Sequence, residues 1–109
     1  MHVITRQVDQ WVQIGRDVLV SPTDIDAASV RLVARGRVLG GADDGAPFES
    51  THELSLGQSF HAGPGIVVTV LKLRPPHVDL GVSAPKHVAV GPREQFKQAD
   101  ERGPDGSGR

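Results

Sequence analysis

The chain repeats itself. Sliding the sequence along itself by 48 residues superimposes its two halves without a gap: Gln10 meets Gln58, Gly15 meets Gly63, Val20 meets Val68, Val30 meets Val78 and Leu32 meets Leu80. Conservative matches fill in between, Val8 with Leu56, Val18 with Ile66 and Ser21 with Thr69. The identities are few, and a β-rich Val/Leu sequence can align with itself by accident. They fall, however, on strand and turn positions. A repeat of this kind constrains the whole fold, because each unit must bury its apolar face against the next.

The local pattern inside each unit is that of strands. Val3-Ile4-Thr5 opens the chain, Trp11-Val12-Gln13-Ile14 follows and closes at Gly15, and Asp17 to Ser21 is stopped by Pro22. Ser29 to Ala34 alternates, with Arg31 on the opposite face from Val30 and Leu32. A short apolar piece, Val38-Leu39, ends at Gly40-Gly41. Residues 40–50 are rich in Gly and acid and read as a flexible linker. Asp43 and Asp44 there have no companion ligand at a metal-binding spacing.

The strand pattern then resumes with Gly57 to His61, Ile66 to Leu73 (stopped by Pro75-Pro76), Val78 to Val82, and Val88-Ala89-Val90. One segment has helical signals, Pro92 to Arg102, with Pro92 at the first helical position and Gly103 just past the end. Residues 103–109 read as a disordered tail.

Composition narrows the function. Aromatics are only 4% of the 109 residues, so a core must rest on Val, Leu, Ile and Ala. The formal net charge is −1, so nucleic-acid binding would need a local basic patch rather than general charge. Cysteine is absent, which removes disulfides and thiolate metal sites. The five histidines do not pair at metal-ligand spacing, and Thr5, Ser55 and Ser59 lack a nucleophile–base pattern, so neither a metal, a cofactor nor an enzyme is expected. Trp11 is the single tryptophan; it can stack a base, but its place in a strand favours a half-buried packing role. The N-terminus lacks the apolar stretch of a secretory signal and no apolar run is long enough to span a bilayer, so a cytoplasmic protein is expected.

Two motifs carry a family resemblance. The run Val78-Asp79-Leu80-Gly81-Val82-Ser83-Ala84-Pro85-Lys86-His87-Val88-Ala89-Val90 and the opening Val3-Ile4-Thr5-Arg6 resemble the two ends of a carbon storage regulator (CsrA) protein. They lie too far apart for one protomer of that family, so the chain resembles two fused copies: residues 1–39, the linker 40–50, and residues 51–102. The family is an interlocked β homodimer. The resemblance therefore implies an all-β fold of interlocked antiparallel sheets from two tandem copies, with one short C-terminal helix. It implies a monomer that stands in for the dimer, since fusion makes docking of the copies intramolecular at an effective concentration on the order of millimolar.

The function implied is post-transcriptional: binding of a GGA element in an mRNA leader loop near the ribosome-binding site, with a small regulatory RNA or a protein antagonist as further partners. In the family the first strand of one protomer lies beside the last strand of the other to form an RNA site. Carried over, Val3 to Arg6 would pair with Val88 to Val90. The contacts implied are Ile4, Thr5, Arg6, Lys86, Val88, Ala89, Val90 and Arg93. Arg6 would present its planar fork to phosphate or a base edge.

Two departures stand out. Pro92 occupies the register of the family's main RNA-contacting arginine, so Arg93 serves only if Gly91 allows a bulge, and Gln7 replaces a second arginine. The second site would use Thr51-His52-Glu53-Leu54, where Leu54 replaces the arginine and Glu53 adds a carboxylate. At about 4 Å, like charges repel by about 4 kcal/mol at an effective dielectric of about 20. One working site is expected. The alternative is a protein-interaction module on the same scaffold with decayed RNA contacts.

Overall fold

Alternating apolar residues on short, glycine-punctuated segments produce strands and turns throughout the computed structural model, which describes residues 1–37 and 41–94. The strands are β1 (His2–Arg6), β2 (Val12–Ile14), β3 (Val18–Ile25), β4 (Ser29–Arg37), β5 (Pro47–Ser55), β6 (Ser59–Gly63), β7 (Ile66–Arg74), β8 (His77–Ser83) and β9 (Val90–Pro92). They form two antiparallel sheets. One has the order β1-β8-β7-β6 and the other β5-β4-β3-β2-β9. The described residues are thus nearly all β, and among them no helix is long and apolar enough to cross a membrane.

The repeat is written into the hydrogen-bond registers. Val12 lies opposite Val20, and Phe60 opposite Val68. Val20 lies opposite Ala34, and Val68 opposite Val82. One irregularity recurs: the ladder shifts between Pro22 and Asp24, and again between Val70 and Lys72, whereas the shift between His61 and Gly63 has no counterpart in β2–β3. The turn before β2 repeats too. Gln10 Oε1 accepts from the Gln7 amide at 2.9 Å, and Gln58 Oε1 from the Ser55 amide at 2.8 Å. Asp9 and Gly57 both hold a left-handed backbone there, at φ 68° and 83°.

Each half gives its first strand to the other. β1 pairs with β8, with Ile4 opposite Leu80, and β5 pairs with β4, with His52 opposite Leu32. The inward rows of the two sheets form one core. Its members are related by the same spacing: Val12 and Phe60, Ile14 and Ala62, Val18 and Ile66, Val20 and Val68, Val30 and Val78, Leu32 and Leu80, Ala34 and Val82.

Several expectations change. The strand partner of β1 is β8; the last strand, β9, pairs with β2 instead, so Val3–Arg6 and Val88–Val90 are not ladder partners. That last strand is also displaced, to Val90–Pro92, because Val88 is held in a turn by its amide donating to the Pro85 carbonyl at 2.9 Å. Pro92 closes an edge strand, where a missing N–H is tolerated, and the helical backbone begins one residue later, at Arg93 and Glu94. The rest of the predicted helix, residues 95–102, and the predicted tail lie outside the described residues, as do Val38 and Leu39.

Pro22 does not stop β3, because the bulge beside it absorbs the interruption. β5 starts at Pro47, inside the predicted linker, and Arg37 faces Pro47 across a β4–β5 hairpin. The connection between the halves is therefore a hairpin loop, a short closure that costs little chain entropy.

Candidate nucleic-acid interface

β1 is the outer strand of one sheet and β9 the outer strand of the other. Their edges face a groove of ≈ 300 Å³ lined by His2, Val3, Ile4, Val90, Gly91 and Pro92. The opening and closing strands of the chain are neighbours here across a gap rather than ladder partners. Both contribute backbone groups on the side that no strand of the described residues covers.

Period-two alternation decides what each β1 side chain does. Val3 is 64% exposed, whereas Ile4 is partly buried against the core. Thr5 is exposed, and its hydroxyl donates to Asp79 Oδ1 at 2.8 Å. Arg74 Nη2 donates to the same oxygen at 2.9 Å. Burial alone would raise the Asp79 carboxyl, but the Thr5 and Arg74 donors outweigh it and hold it below the usual carboxylate range.

Arg6 shares the inward face with Ile4 and is only 8% exposed. Its Nε donates to the Thr5 carbonyl at 2.9 Å, and its Nη1 donates to the Trp11 carbonyl at 3.2 Å and to Glu94 Oε1 at 3.1 Å. The Arg6 donor holds the Glu94 carboxyl below its ordinary value. The expected fork of Arg6 is thus engaged within the protein, where the side chain is a clip from β1 to the β2 and β9 end of the other sheet.

The remaining expected residues surround this end. Lys86 is exposed on the β8–β9 loop. Val88 and Val90 are partly buried against the core, and the Ala89 carbonyl accepts from the Gly15 amide at 2.7 Å. The Arg93 amide donates to the Trp11 carbonyl at 2.9 Å, and its guanidinium donates to Gln13 Oε1. Arg6 and Arg93 thus converge on one carbonyl, but both guanidinium groups are engaged with the protein. Trp11 is half-buried, and the Arg35 guanidinium lies over its ring, 5.1 Å from the centroid. Arg35 was not among the expected residues; its only sequence signal is the outward alternation of β4. Among the described residues there is no cluster of His, Cys, Asp or Glu able to hold a metal.

The related place in the other half is built differently. Leu54 is buried where Arg6 stands in the first half. Glu53 accepts from the Ser29 hydroxyl at 3.2 Å and faces Arg31 at 3.8 Å. His52, at the position of Ile4, stacks on Phe60 with ring centroids 4.1 Å apart. Among the described residues no strand lies against β6 as β9 lies against β2. No family model, curated protein or solved structure matches this chain, so the interface is read from its own residues.

Proposed function

We propose that the protein is an RNA-binding regulator of translation, a single-chain, monomeric counterpart of the carbon storage regulator dimer acting in the cytoplasm. It reads a GGA-containing loop in mRNA leaders near the ribosome-binding site, and a small regulatory RNA or a protein antagonist would compete for the same groove. The observation that carries this reading is the meeting of β1 from the first half with β9 from the second as two uncovered strand edges around one groove. Unstacked bases of an RNA loop expose their Watson–Crick edges, and strand-edge N–H and C=O groups are fixed donors and acceptors for them. Ile4 and Val3 offer apolar contact, Lys86 is exposed to meet phosphate, and Arg93 reinforces the β9 wall through Trp11 and Gln13. Exchange of first strands between the halves supports the family reading, and the role is one of binding, not catalysis.

A gel shift with a GGA-loop hairpin tests it. Wild type should bind at micromolar protein or better, and Val3→Glu, which sets a carboxylate on the exposed wall of the groove, should weaken binding at least about tenfold, a loss of about 1.4 kcal/mol. Absence of any wild-type shift would favour the second reading, a protein-interaction module. The inward engagement of both Arg6 and Arg93 is the observation on its side.

A further inference from the structure

Alternate residues of β4, namely Arg31, Val33, Arg35 and Arg37, lie on one face of the five-stranded sheet. Arg35 is opposite Glu49 on β5 and Leu19 on β3, and Arg37 is opposite Pro47. The β2–β3 turn brings Arg16 and Asp17 against this end of β4. The approach is close enough to require glycine: a Cβ on Gly36 would sit 2.5 Å from the Asp17 carbonyl oxygen and 2.9 Å from the Phe48 ring. The result is a pocket of ≈ 180 Å³ lined by Arg16, Arg35 and Arg37, with Asp17 and Gly36 also in its wall.

Most of its donors are uncommitted. Glu49 takes only the Arg35 Nε, at 3.0 Å, and Arg37 gives Nη1 to the Gly45 carbonyl at 2.9 Å. Arg16 is exposed and makes no hydrogen bond or ion pair among the described residues. Asp17 and Glu49 offset part of the positive charge without occupying the forks. The fold does not require these arginines. At the same spacing in the other half stand Pro64, Ser83 and Pro85, and there a Cβ on Gly65 would touch the Pro85 ring at 3.4 Å. The same corner carries no charge at these three positions.

We infer that the three-arginine pocket seats a phosphate group of the bound RNA after the strand leaves the groove, an inference that rests on the RNA-binding reading above. Planar guanidinium forks match phosphate geometry. A single cross-strand row, Gly91–Gln13–Leu19–Arg35, joins the wall of the groove to the pocket over three strand spacings, about 14 Å. Near that row the Trp11 ring and the Arg35 guanidinium form a stacked surface. A free phosphate or a mononucleotide shares the same chemistry, so the experiment separates these sources.

Binding of a GGA-loop hairpin with single-stranded flanks, and of the same hairpin trimmed of its flanks, is followed by fluorescence anisotropy over a salt series. Wild type, Arg16→Ala/Arg37→Ala and, as a control outside the pocket, Arg31→Ala are compared after equal urea midpoints establish that each folds. For the flanked hairpin the double variant should weaken binding several-fold and flatten the slope of log K against log salt by about 0.7, the loss of one single-strand phosphate contact. Arg31→Ala should match wild type, and the trimmed hairpin should not distinguish the three proteins.

Equal affinity and slope for wild type and double variant on the flanked hairpin overturns the inference and leaves the RNA reading intact. Failure of wild type to bind either hairpin overturns the RNA reading and this inference with it. Movement of the Gly36 amide resonance with inorganic phosphate or adenosine monophosphate, combined with an unchanged RNA slope in the double variant, assigns the pocket to a free anion and also overturns it.

Discussion

The two halves of this molecule agree inside and disagree at their rims. Seven pairs of core residues related by the same spacing are buried in both halves, and most strand registers and one β-bulge repeat with them. At the edges the correspondence fails. One half has Arg6, the β9 strand and three arginines around Gly36; the other has Leu54, an uncovered β6 among the described residues, and Pro64, Ser83, Ala84 and Pro85. Burial explains the contrast. A close-packed interior penalises any change in volume, whereas a rim exposed to water tolerates substitution and so accommodates binding chemistry. The result is an asymmetric rim on a repeated core.

The comparison can be broken first at the core. Leu32 and Leu80 are related positions, both 0% exposed. Leu32→Ala and Leu80→Ala should each cost about 2–5 kcal/mol in urea unfolding. A loss below about 1 kcal/mol for one of them would mean that the halves do not share one equivalent core. Next is the corner at Gly36, whose related residue in the other half is Ala84. Gly36→Ala should cost about 1–3 kcal/mol through overpacking against Asp17 and Phe48. The converse change at the related position, Ala84→Gly, should cost only about 0.5–1 kcal/mol of backbone entropy. Equal costs would show that the corner is not specialised.

A third comparison concerns the clip. Arg6→Leu imports the residue of the other half and should lower stability at neutral pH by about 1–2 kcal/mol, since lost charged hydrogen bonds are partly offset by apolar burial. Its sign with pH follows from Glu94. The folded-state pKa of this carboxyl is depressed by Arg6, so its contribution is present above the ordinary glutamate pKa, about 4.3, and lost as pH falls through the lower folded value. Asp26, held down by the Ser29 and Ala28 amides, and Asp79 give the same acid slope in both proteins. Urea midpoints measured between neutral pH and about pH 3 should therefore fall more steeply in wild type than in Arg6→Leu. Parallel curves would remove the clip as an asymmetric feature.

Much of this architecture was legible in the chain. The period of 48 residues, the alternation in β4 and β8 and the glycine and proline punctuation locate most strands within a residue or two. Ile4 and Val90 do meet at one groove. What was illegible were relations between distant residues. Nothing local tells β1 to take β8 as its ladder partner rather than β9. The charge of Arg6 suggested solvent, but its acceptors are the Trp11 carbonyl and a carboxylate 88 residues away. Arg16, Arg35 and Arg37 are unremarkable in sequence and become a group only because a turn packs on β4 at Gly36.

Sequence alone therefore determined the repeat, the β class and the inward face of each strand, because these follow from side-chain periodicity and the backbone preferences of a few neighbouring residues. Tertiary structure alone decided which edges meet, which arginine is buried and where three others gather. Those outcomes depend on register and close approach between segments far apart in the chain, and short-range pattern carries no record of them.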